Sequence, residues 1–165
     1  MVEKKLCQEL ALADDQGGQL EKLKAQSYLN KVIKEALRMY PPAWAVSRQA
    51  IQEDRVGDYI IPKGATVFLS IYAMHRDPSY WNEPDSFNPD RFQSKIDKQY
   101  YLPFGRGPRI CIGNNFALLE MQIIVTQILQ HFQITLESQR ELELITPMTL
   151  CPKEPILFSL QKRKN

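Results

Sequence analysis

The reading of this chain turns on Phe104-Gly105-Arg106-Gly107-Pro108-Arg109-Ile110-Cys111-Ile112-Gly113. Glycines at 105, 107 and 113 allow backbone conformations and close approaches that a side chain would block. Pro108 stiffens the loop, and Arg109 sets a permanent cation two residues before Cys111. The helical run that follows offers free amides and a dipole that favour an anion. Such surroundings suit a thiolate that binds metal. Gly113, two residues on, leaves room for something flat and large against the backbone. Read without its surroundings, Cys111 is a small buried hydrophobe at a helix start.

Downstream of the loop, Asn114 to Gln130 reads as a helix with apolar residues all round, from Phe116 and Leu118 to Ile128 and Leu129. Such a helix must be buried on most sides or lean on a neighbour outside this chain. Upstream, Arg76 to Gly113 is crowded with Pro, Asp, Asn and Gly. Nearly forty residues of loop-like sequence in a compact domain usually mean function. Before it, Tyr59–Ile61 and Ala65–Leu69 read as strands flanking the turn Pro62-Lys63-Gly64. Tyr28 to Tyr40 shows helical periodicity, stopped by Pro41-Pro42. Residues 1–12 read as a helix, Asp14 to Gly18 as a loop, and Ile134 to Leu160 as strands broken by prolines.

Composition bounds the rest. At 165 residues the length is that of one domain, and 44% hydrophobic with 24% charged residues is near globular averages. A compact chain of this mass would expose roughly 8,400 Å². The net charge of +2 is too weak to argue for nucleic acid. No apolar run is long enough to span a membrane, and no signal-peptide core follows Met1. The expectation is a cytoplasmic chain, with an anchor upstream of Met1 left open. Three cysteines at wide spacing (7, 111 and 151) form no disulfide framework, and two distant histidines give zinc no ligand set.

The loop fits the pattern Phe-x-x-Gly-x-Arg-x-Cys-x-Gly and resembles the haem-binding loop of the cytochrome P-450 superfamily. Glu35-Ala36-Leu37-Arg38 resembles the family's Glu-x-x-Arg helix motif. Asn88-Pro89-Asp90-Arg91-Phe92 is similar to its Pro-Glu-Arg-Phe motif, with Asp90 for the usual Glu. Pro62-Lys63-Gly64 and Met74-His75-Arg76-Asp77-Pro78 are also familiar from the superfamily in this order, and the resemblance covers about residues 1 to 160.

The resemblance implies a mainly α fold with small β-sheets: Glu-x-x-Arg helix, short β-hairpin, irregular meander, cysteine loop, buried helix and terminal strands. Residues 1–165 would be the C-terminal haem-binding portion of such a domain, with the N-terminal portion absent or supplied elsewhere. Cys111 would be the thiolate ligand of a haem b iron. Arg48 and Arg109 would meet the propionates, with Phe104, Gly105 and Gly113 also lining the cofactor. Glu35, Arg38 and Arg91 would form a structural network pinning the meander. Without the other motifs, Glu35 and Arg38 read as a surface ion pair and Arg48 as a solvated strand residue. Because the resemblance already supplies the iron ligand, His75 reads as a packed polar residue.

The implied activity is monooxygenation of a small lipophilic organic substrate, with electrons from NAD(P)H through a reductase or ferredoxin. Lys95, Lys98 and Arg106, if exposed, would dock an acidic redox partner, though a merely solvated face is the equal alternative. Ala43-Trp44-Ala45-Val46 and Thr146-Pro147-Met148-Thr149 would touch substrate or simply pack. Two other readings stay open: a non-catalytic truncated remnant, and a haem-thiolate enzyme that rearranges peroxides without a reductase.

Overall fold

The computed structural model describes residues 2–11, 27–137 and 141–163. The loop expected from Asp14 to Gly18 lies outside them. Among the described residues, helix α1 spans Val2–Ala11, α2 Ser27–Met39, α3 Ile71–Met74 and α4 Asn114–His131. Single 3-10 turns occur at Pro89–Gln93 and Gly107–Arg109.

Helix α2 is the centre of the arrangement because two of its faces are buried. Leu29, Ile33 and Leu37, spaced four apart, share one face. They meet Leu6 and Leu10 of α1 and Leu129 of α4 in one apolar cluster. Its first turn is capped from a distance: Glu9 of α1 accepts from Tyr28 N–H at 2.7 Å and Leu29 N–H at 2.9 Å. A carboxylate there satisfies orphan amides and suits the positive end of the helix dipole. The other buried face carries Glu35 and Arg38, which look toward the irregular segment.

Among the described residues the strands form four antiparallel pairs. β1 (Ala45–Gln49) pairs with β4 (Thr66–Ser70), and β2 (Asp54–Val56) with β3 (Tyr59–Ile61). β5 (Phe132–Leu136) pairs with β8 (Phe158–Lys162), and β6 (Leu144–Ile145) with β7 (Cys151–Pro152). The fold is therefore mixed α/β, richer in strand than the mainly α expectation. The strands flanking Pro62-Lys63-Gly64 are present but do not pair with each other. β3 folds back on β2 around Gly57, while β4 reaches the earlier β1. Ala45 and Val46 begin β1.

The chain is less compact than its composition allows. It presents 12448 Å² to solvent, well above the roughly 8,400 Å² of a compact domain of this mass. Much of α4 explains why. Among its described residues only Thr126 and Leu129 are buried, while Phe116, Ile123 and Ile124 face solvent. Its all-round apolar sequence is matched by protein on one side only.

Candidate functional site

The buried face of α2 organises the irregular segment that follows α3. Arg38 and Glu35 are both fully buried, so the surface-pair reading is excluded. Arg38 Nε donates to Glu35 Oε2 at 2.8 Å, and its Nη2 to Oε1 at 3.0 Å. The opposite edge of the guanidinium donates to His75 O at 2.8 Å. Arg91 Nε donates to Glu35 Oε1 at 3.0 Å, and Asn88 N–H to the same oxygen at 2.8 Å. The remaining Arg91 nitrogens donate to the carbonyls of Asn82, Glu83 and Ser86. Two planar forks thus bind one carboxylate and several backbone carbonyls of a chain with little secondary structure of its own.

The energetics follow from burial. Desolvation pushes the Glu35 carboxyl up. The Arg38 and Asn88 hydrogen bonds, the Arg38 charge and the Arg91 hydrogen bond outweigh it and hold the group below its ordinary value. Asp90, which stands where the motif usually has Glu, lies outside this network and pairs with Lys5 at 2.9 Å on the surface. Beside the network, Trp81, Phe92, Tyr101 and His75 form an aromatic cluster, and the Arg38 guanidinium lies over the Trp81 ring.

The cysteine loop leaves this anchored region at Leu102. Gly105 N–H donates to Leu102 O at 3.0 Å, and Cys111 N–H to Phe104 O at 2.9 Å, so the loop closes on its own backbone. Gly105 and Gly107 have φ of 74° and 77°, a region that disfavours side chains. Gly113 caps α4 with φ of −87°, and a Cβ added there would meet Cys111 Sγ at an ordinary 4.0 Å. Nothing in the surrounding protein requires that glycine. Cys111 is exposed, between exposed Ile110 and fully exposed Ile112.

The expected site residues divide into two groups. Glu35, Arg38 and Arg91 are brought together. Phe104 is half-buried against the α1–α2–α4 cluster. Arg109 lies exposed in the 3-10 turn before Cys111. Arg48 lies exposed on β1 opposite Val67, its Nη1 donating to Ser47 O at 2.7 Å. Lys95, Lys98 and Arg106 are exposed, and so are Thr146 to Thr149. Sequence reasoning missed Glu9, whose capping role depends on a different helix. His75 is the packed polar residue expected, at 0% exposure, but its two partners, Arg38 O and Leu102 N–H, were not foreseen. No spacing rule reveals either.

An anchored meander leading into a glycine-bounded cysteine loop, on a frame of helices and small antiparallel sheets, defines a P450-like domain. A profile of the family described as Cytochrome P450 matches residues 1–160. The chain belongs to the cytochrome P450 family. It is 39% identical over 170 aligned positions to Lithocholate 6-beta-hydroxylase of Mesocricetus auratus, covering 98% of this chain and 34% of that protein. Cytochrome P450 3A18 of Rattus norvegicus is also 39% identical over the same shares. Cytochrome P450 3A5 of Homo sapiens is 40% identical over 82% of this chain and 28% of its own length. The chain therefore spans about a third of the length of these curated relatives. No helix among the described residues is long and apolar enough to cross a membrane.

Proposed function

We propose that this chain is the haem-binding portion of a cytochrome P450 monooxygenase, with Cys111 as the thiolate ligand of the iron. The observation that carries the reading is the exposed Cys111 side chain, on a self-closed loop between two solvent-facing isoleucines. Apolar groups left in water beside a lone thiol fit a flat apolar macrocycle held through one sulfur. Gly113 fits it too, since the protein around it does not demand a glycine. Among the described residues no three His, Cys, Asp or Glu side chains gather as a metal cluster. A haem iron, already held by its porphyrin, would need only one ligand from this chain.

A thiolate-ligated haem bound there would supply oxygen activation, in which two electrons and two protons let one oxygen atom enter substrate and the other leave as water. The part of this chain is to hold and orient that group. Phe104 and Gly105 would shape the loop beneath it. Arg109 and Arg48 would bind the propionates, and no carboxylate among the described residues pairs with either. Glu35, Arg38 and Arg91 would keep the loop's entry fixed. Electrons would come from NAD(P)H through a reductase or ferredoxin, with exposed Lys95, Lys98 and Arg106 suited to an acidic partner surface. The substrate would be small and lipophilic.

Haem reconstitution tests this. The reduced carbon monoxide adduct of the chain should show the red-shifted band of thiolate ligation. Cys111→Ser should lose it, while Cys7→Ser and Cys151→Ser keep it. Loss in Cys7→Ser with retention in Cys111→Ser would refute the assignment.

A further inference from the structure

His75 is fully buried, yet it is no member of the carboxylate pairing. Its Nδ1 lies 3.1 Å from Arg38 O. A carbonyl oxygen only accepts, so Nδ1 carries the proton and donates. Nε2 is then a bare lone pair, and Leu102 N–H donates to it at 2.9 Å. Both ring nitrogens are committed, and only one neutral tautomer satisfies both. The ring stacks on Tyr101, centroids 5.4 Å apart, and meets Trp81 edge-on at 6.2 Å. Tyr101 in turn donates its hydroxyl to Lys34 O at 3.0 Å.

Two consecutive residues at the mouth of the cysteine loop are thus tied to α2 at carbonyls one turn apart, Lys34 directly and Arg38 through the imidazole. From Leu102 the link continues through backbone bonds only. Leu102 O accepts from Gly105 N–H, and Phe104 O accepts from Cys111 N–H.

We propose that His75, as the Nδ1–H tautomer, is a positioning residue that clamps Leu102 to helix α2 and thereby fixes where Cys111 stands. Its significance for cofactor binding rests on the reading of Cys111 given above, but the clamp itself is a property of the loop. A protonated ring would turn two donors toward each other at Leu102. Burial, chiefly, lowers the His75 pKa to about 4, so the accepting lone pair persists at neutral pH. Phenylalanine would keep the stack and strand both backbone groups. Glutamine could still offer an oxygen to Leu102 N–H.

Residue-resolved amide exchange on the 165-residue chain without haem tests the clamp. His75→Phe should speed exchange at both Leu102 and Cys111 by about tenfold, the size of one lost hydrogen bond, beyond any change at Leu29 and Ile33. His75→Gln should restore protection at Leu102. Trp81→Phe, which disturbs the same aromatic group but neither ring nitrogen, should raise exchange evenly. Exchange that rises at Leu102 while Cys111 is unmoved, or that only follows the α2 amides, would overturn the proposal. Should His75→Phe fail to fold, the nitrogen spectrum of 15N-histidine in the wild-type chain decides. A protonated Nε2 at neutral pH would overturn it, and a bare Nε2 coupled to the Leu102 amide would uphold it. Adding haem separates the two readings. Coupled amides in a chain that gives no thiolate-type carbon monoxide band would refute the cofactor assignment and leave the clamp standing.

Discussion

At the scale of single residues, the fully buried Glu35 and Arg38 carry the most consequence. An exposed ion pair contributes about 0–1 kcal/mol, whereas stranding one partner of a buried pair costs about 3–5 kcal/mol. Arg38→Ala leaves Glu35 without its main partner and frees His75 O and one contact to Ser86 O. We expect urea melts to show a loss in the buried range. A loss of a few tenths would mean that the network holds nothing in place. The same region sets the acid response. His75 has its pKa lowered from 6.5 to about 4, so the folded state resists a proton that the unfolded state takes up. Stability from this group is complete above pH 6.5 and is lost as pH falls toward 4, by roughly 3 kcal/mol at most. Glu35, also held below its ordinary value, loses its contribution at still lower pH. Urea midpoints should fall between pH 7 and pH 4.5, and the fall should shrink in His75→Gln. An equal fall in that variant would place the acid sensitivity elsewhere.

At the scale of elements, backbone conformation separates residues that the loop tolerates from those it requires. Glu83 has φ of 45°, and its carbonyl accepts from Arg91 at 3.2 Å, so the network holds a strained turn. Gly105 has φ of 74° with no such strain, being glycine. Glu83→Gly should therefore be neutral or stabilising by up to about 1 kcal/mol, and Gly105→Ala destabilising by about 1–2 kcal/mol. Thermal melts with the opposite order would show that these φ values are not those of the folded chain. The elements also show what the sequence makes legible. The period of α2 and the proline stop after it carry their own boundaries, and the helix after Gly113 appears within a residue of its expected end. Strand partners are different. Pro62-Lys63-Gly64 is a sound turn signal, but a turn does not say which strand its arms will meet. β4 pairs with β1, some twenty positions upstream, and β2, the partner of β3, is short and fully exposed and carries no alternation to find. The Glu9 cap and the His75 tie join elements far apart in sequence, so composition and period are silent on both. The motif residues Glu35, Arg38 and Arg91 were legible as a set, whereas the complete burial of Glu35 and Arg38 does not follow from their spacing.

At the scale of the whole molecule, exposed apolar surface governs behaviour. Phe116, Ile123 and Ile124 of α4, with Phe68, Met148 and Ile112, stand in water. Exposure on this scale marks an interaction surface or an aggregation liability. The purified chain should bind a hydrophobic dye and associate at micromolar concentration, and dye binding as low as that of a compact domain would contradict this. Haem held from one face would also be open to water, so electron consumption by the chain alone should yield no hydroxylated product. Stoichiometric product from lipophilic substrates, lost in Cys111→Ser, would show the chain sufficient by itself.

The central claim is a bond between one sulfur and a haem iron, and an isotope reads that bond directly. Haem-loaded chain prepared with 34S-cysteine should show a downshift of the iron–sulfur stretch in its resonance Raman spectrum. Cys7→Ser and Cys151→Ser should keep the shifted band, and Cys111→Ser should have none. An iron–sulfur band that survives Cys111→Ser, or a haem-loaded chain whose spectrum carries no sulfur-sensitive band, would contradict the account.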